Sequence, residues 1–210
     1  MTARAVPAQG LPATPGRLLS AAAGPLLPPV RAEVFGPQRF AQHGGSLAQT
    51  HAAQRPAWGA AGFFPRLRDN IRVLREAHGV IGTQTEAGDE PSPAAQWLLD
   101  NFGLIDAQLL AIHEGLPRSY FRGLPVLQAE PLAGLPRVYG VAWAFVAHSD
   151  SAFDEDLLVR YLNGYQEKRE LGLAEMWALP TTLRVVLVEN LRRLAERLAT
   201  QQAARELARR

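Results

Sequence analysis

The sequence predicts an all-α protein, an antiparallel helical assembly over residues 61–210 preceded by a disordered tail rich in proline, alanine and glycine over residues 1–60. Three observations lead there. Every sustained apolar pattern recurs at the three- and four-residue steps of one helical face. The valine-rich run 184–188 is flanked on both sides by helix formers, which argues against reading it as a strand. The most strongly patterned stretch, 93–117, is punctuated at both ends, by Ser92 and Pro93 at its start and by Gly115 and Pro117 at its end.

The tail carries prolines at 7, 12, 15, 25, 28, 29, 37 and 56 and no sustained period. Such a composition buries too little apolar surface to offset the entropy of ordering the chain, and its functional reading is a linker or docking arm. The uncharged run 18–30 imitates the core of a secretory signal, but Pro25, Pro28 and Pro29 interrupt it and only Arg4 and Arg17 precede it. A signal is not expected.

A first amphipathic helix is expected from Phe64 or Pro65 to Val80, with Leu67, Ile71 and Leu74 on one face and arginines around the other. A polar connection over 79–91 leads into 93–117, where Trp97, Leu98, Phe102, Ile105, Leu109 and Ile112 lie on one face of a single helix. After it, Pro125, Pro131 and Pro136 exclude any long helix. Tyr120, Phe121, Leu124, Val126 and Leu127 are too apolar for a free loop and are expected to fold back over the helix ends.

Arg137 then opens a helix that is apolar almost all round (Val138, Val141, Ala142, Trp143, Phe145, Val146), the mark of a buried helix. Acids at 154–156 precede Leu157, Leu158, Tyr161 and Tyr165, the start of another amphipathic helix. The last element begins near Leu173, is expected to kink at Pro180, and carries the stripe Leu183, Val186, Leu187, Asn190, Leu191, Leu194 and Leu198. Packing is expected up to Leu194, with an exposed, fraying end beyond Thr200. Trp97, Trp143 and Trp177 read as core; Trp58 falls in the tail.

Composition excludes several function classes. Of 22 basic residues only Lys168 is lysine, so arginine is the default cation here, and a net charge of +2 is no field for nucleic acid. Without cysteine there are no disulfides and no thiolate zinc sites. No stretch reaches the ~18 to 20 continuous apolar residues of a membrane span.

Candidate chemistry is sparse, and neither catalytic nor metal-ligating residues are expected. Asp150, Asp154 and Asp156 cluster, but the glycine of a calcium loop is missing, and helix capping accounts for them. Asp154-Glu155-Asp156 has the bare letters of a sugar-nucleotide metal pair yet opens a helix instead of ending a strand. His113-Glu114 begins like a zinc-hydrolase helix, but the second histidine's place is Pro117. His148, at the end of the buried helix, reads as structural. The remaining candidates for ligand binding are Arg118, Arg122 and Arg137 interleaved with Tyr120 and Tyr139, because guanidinium forks grip anions and aromatic faces stack on sugar rings. The alternative is that they pack by their stems and pin turns.

Five blocks carry a family resemblance, in order: PRLRDNIRVLR, QWLLDNF, LPRSYFRGLP, LAGLPRVYGVAWAFVAHSD and EMWALPTTLRVVLVENLRRLA. Running from about Leu67 to Leu198, they resemble the amino-terminal region of bacterial cyclic β-1,2-glucan synthases, large membrane-bound glucosyltransferases. The resemblance implies a parent enzyme that builds glucan from UDP-glucose with a divalent metal at the cytoplasmic side of the inner membrane. It also implies that the catalytic domains and transmembrane helices lie outside this region, which would be a fragment, non-catalytic by itself and without a cofactor of its own. Its expected partner is the remainder of that enzyme or a membrane glycosyltransferase. Two alternatives stand beside it, a stand-alone helical scaffold and a sugar- or anion-binding module using Arg118 to Tyr139.

Overall fold

The computed structural model describes residues 33–55 and 62–209. Among them are eight helices: α1 (Pro37–Thr50), α2 (Phe63–Glu86), α3 (Pro93–Asp100), α4 (Phe102–Glu114), α5 (Arg118–Arg122), α6 (Arg137–His148), α7 (Glu155–Gln166) and α8 (Leu173–Arg209). The fold is all-α, as expected, with one small exception. Two two-residue strands, β1 (Ala53–Gln54) and β2 (Val126–Leu127), pair antiparallel, Ala53 opposite Leu127 and Gln54 opposite Val126. They form where the chain leaving α1 runs beside the segment entering α6 and each satisfies the other's backbone groups.

Helix α1 corrects the expectation of a disordered tail through residue 60. Pro37 fills its first turn, and Phe40, Gly44 and Ala48, at steps of four, are buried on one face. That face docks on α7. The average composition of the segment conceals a short, regular apolar stripe that becomes stable only against a partner. The rest of the predicted tail, Trp58 included, lies outside the described residues.

Helix α2 runs beyond Val80 to Glu86, because Val80, Ile81 and Gln84 are buried there. The stretch 93–117 is two helices, not one. The break is at Asn101, whose side-chain amide and backbone N–H both donate to the Trp97 carbonyl, at 2.8 and 3.0 Å, offering the backbone an alternative to continued helix. The expected cap at its start is present, with Ser92 Oγ accepting from the Ala95 N–H at 3.3 Å. Ala95 and Leu98 of α3 and Ile105, Leu109 and Ile112 of α4 enter the core, but Trp97 is 52% exposed. Helix α4 returns antiparallel along α2, with Arg75 bonded to Asp106 and His78 stacked on Phe102.

Helix α6 is buried on nearly every side, as its composition predicts. Asp154 caps α7, its carboxylate accepting from the Leu157 N–H at 3.0 Å. Helix α8 continues through Pro180 and packs against α2, α6, α3 and α4. The expected stripe holds at Leu183 and Val186, which are buried, and at Leu187, Leu191 and Leu198, which pack partly buried against the core, but not at Leu194, which is half exposed, nor at Trp177, which is 72% exposed. Val185, Val188, Ala195, Ala199 and Ala203 widen the buried face beyond the stripe. Short side chains allow neighbouring helices to approach closely, which larger leucines at those positions would prevent. The face therefore reaches past Thr200, where fraying was expected. No helix among the described residues is long and apolar enough to cross a membrane.

Candidate functional site

The five residues singled out from the sequence serve different parts of the structure. Arg137, at the first position of α6, grips the Glu175 carboxylate through Nε at 2.8 Å and through Nη2, which also donates to the Glu170 carbonyl at 3.0 Å. Glu175 raises the pKa of this guanidinium against the opposing effect of burial. The pair pins the start of α6 to the start of α8. Tyr139 is fully buried and donates to Glu189 at 2.6 Å. Tyr120 donates to the Ala174 carbonyl, Arg118 lies 5.7 Å over the Phe64 ring, and Arg122 is exposed.

Glu189 is the centre of a buried polar cluster. Its carboxylate accepts from Arg66 at 2.5 and 3.0 Å, Asn70 at 3.0 Å, Tyr139 at 2.6 Å and Arg193 at 2.8 Å. Burial works to raise its pKa, but the bonds from Arg66 and Tyr139 and the charge of Arg193 hold it below the ordinary carboxylate value. The cluster ties α2, α6 and α8 together. Nothing in the acidic run at 150–156 gathers for a metal, and among the described residues no group of three or more histidines and acids could hold one.

A cavity of about 320 Å³ opens between α1, α6 and the loop 129–132. Its polar groups are His43, Thr50 and His51 from α1 and its end, Glu130 from the loop, and His148 from α6; Trp143 of α6 supplies a partly buried indole. Leu47, Leu127, Leu132 and Ala144 complete its apolar walls. Gly140 forms part of the lining, and a side chain there would need its neighbours to shift. A Cβ there would stand 2.7 Å from a Leu127 methyl and 3.1 Å from the His51 ring.

The histidines are held by their surroundings. His51 Nδ1 lies 3.1 Å from the Tyr165 hydroxyl, and its pKa is lowered to about 4 by burial first, then by the charges of Arg137 and Arg169. His43 packs against Phe35, His148 and Tyr161, and burial, followed by His148 and Arg39, lowers it to about 4 as well. Both are neutral imidazoles at pH 7. His148 stacks on Phe35 at 3.8 Å between ring centroids, and its Nδ1 donates to the Glu33 carbonyl at 2.7 Å, contacts of the structural kind expected for it. None of the five residues predicted from the sequence lines this cavity. A second groove, about 390 Å³ and mainly apolar, runs between α3 and α8 past Trp97, Leu194 and Leu198.

His43 and His51 lie in the segment whose composition reads as a tail. A signal for them exists: Phe40, Gly44, Leu47 and His51 follow the four- and three-residue steps of a helical face, directly after a proline suited to a first turn.

No known family model matches the chain. Over 179 residues, 85% of its length, it is 32% identical to cyclic β-(1,2)-glucan synthase NdvB of Rhizobium meliloti (strain 1021). The chain spans 6% of that protein's length. The resemblance carried by the five sequence blocks is therefore reproduced by direct comparison, and the chain is related in sequence to a cyclic glucan synthase.

Proposed function

We propose that this chain is a non-catalytic helical domain of the cyclic β-1,2-glucan synthase type, equivalent to an amino-terminal region of such an enzyme. It serves glucan synthesis at the inner membrane by packing against the remainder of the synthase or against a separate membrane glycosyltransferase. The observation that carries the reading is the match itself, which extends through 85% of this chain and 6% of the relative. UDP-glucose and its divalent metal would be handled elsewhere in such an enzyme. Consistent with that division of labour, Arg137 and Tyr139 are committed to Glu175 and Glu189, contacts that build the helix assembly.

The test has two arms. The purified chain incubated with UDP-glucose and magnesium is expected to give neither glucan nor a covalently glucosylated protein; either product would overturn the non-catalytic reading. A synthase lacking the matching segment, supplied with this chain fused in its place or as a separate protein, is expected to regain glucan synthesis in membranes. Failure in both forms would remove the proposed role.

A further inference from the structure

We infer that the cavity between α1 and α6 is a binding site for a neutral saccharide of one or two rings. At about 320 Å³ it lies at the small end of the ~300 to 1,000 Å³ typical of ligand sites, which suits one or two sugar rings. Its chemistry selects the class. Among the described residues no arginine or lysine lines it, so an anion meets no cationic fork from them. The imidazoles of His43 and His51 are neutral yet can donate and accept hydrogen bonds, as a ligand bearing many hydroxyls requires.

The Tyr165 phenol keeps its proton, since burial raises its pKa to about 12, and it can therefore donate to His51 Nδ1. With Nδ1 accepting in this way, the ring proton sits on Nε2, the edge beside Gly140 in the cavity lining. Trp143, partly buried in the lining, supplies an indole of the kind whose ring face packs against the C–H side of a pyranose. Thr50 and Glu130 stand exposed at the rim, where they can bond hydroxyls without being desolvated beforehand.

The glucan named for the sequence relative is a neutral saccharide, so the choice of a β-1,2-linked probe rests on the proposed function, while the saccharide class rests on the cavity. The experiment titrates the whole chain with sophorose, the β-1,2-linked glucose disaccharide, with cellobiose and with inorganic phosphate, by calorimetry and by amide chemical-shift mapping. Saturable sophorose binding with a Kd of ~mM is expected, with shifts centred on 43–51, 129–132 and 140–148. Trp143→Ala is expected to weaken it about tenfold. Glu130→Gln, an exposed position whose change leaves the core intact, is expected to weaken it by a smaller factor.

Equal affinity for cellobiose would support the saccharide class and remove only the linkage preference. Absence of saturable binding by either sugar, shifts centred elsewhere, phosphate binding at this cavity in place of sugar, or unchanged affinity in Glu130→Gln together with a folded Trp143→Ala would overturn the site. Sugar binding without restored synthesis in the membrane test would leave the site and remove the synthase reading. Restored synthesis without sugar binding would do the reverse.

Discussion

Gly44 of α1 and Gly164 of α7 bring the two helices into backbone contact. A Cβ on Gly44 would run into the Tyr161 carbonyl, and one on Gly164 into the Ala41 carbonyl. This contact places α1, and with it His43 and His51, at the cavity. Gly44→Ala and Gly164→Ala are each expected to cost about 1 to 3 kcal/mol by overpacking, whereas Gly36→Ala, with open space around it, serves as control. Chemical denaturation together with hydrogen exchange in 37–50 measures this. Exchange rates in α1 that match the parent in both variants would refute the packing.

Five hydrogen bonds, from Arg66, Asn70, Tyr139 and Arg193, converge on the buried Glu189 carboxylate. Glu189→Ala leaves Arg66 and Arg193 without their buried carboxylate partner and is expected to cost about 3 to 5 kcal/mol. Arg72, whose pairs with Asp69 and Glu76 are exposed, provides the contrast; Arg72→Ala is expected to cost ~0 to 1 kcal/mol. Comparable losses in urea-unfolding stability from the two variants would contradict the assignment.

Both His43 and His51 have folded-state pKa values of about 4, below the ordinary 6.5. The sign follows from linkage: the unfolded chain takes up these protons first, so the stability they support is complete above pH 6.5 and is lost as pH falls through that value toward 4. Melting temperature is expected to decline between pH 6.5 and 4.5, above the range in which the lowered Glu189 titrates. The decline should shrink in His43→Gln and His51→Gln. A flat profile in that window, or one unaffected by both substitutions, would contradict the burial of the imidazoles.

Along α8, Val186 is fully buried and Leu194 half exposed. Val186→Asp is expected to cost about 3 kcal/mol or more by burying an unpaired charge, and Leu194→Asp less than about 1 kcal/mol. Equal melting-temperature losses would place Leu194 in the packed face with Val186.

Several parts of the fold are legible in the sequence because their causes are local. Ser92 caps α3 and Asp154 caps α7 through their own side chains. Helix α6 reads as buried because an element with no polar face has no other stable environment. The resemblance to glucan synthases is likewise written in short blocks of residues.

The tertiary structure decided what depends on a partner distant in the chain. Helix α1 is too short to be stable in water on its own and exists here because glycines 44 and 164 let it lie on α7. Arg137 and Tyr139 look like ligand-binding residues until Glu175 and Glu189, 38 and 50 positions away, are seen to hold them. Trp97 and Trp177 fit the spacing of an apolar face, but only the neighbours' positions determine which side of a helix is covered. Periodicity fixes the angle between side chains on one helix, and it carries no information on which direction the rest of the protein lies. The cavity beside α6 is of the second kind, since its walls come from residues 43–51, 127–132 and 140–148, three segments brought together only by folding.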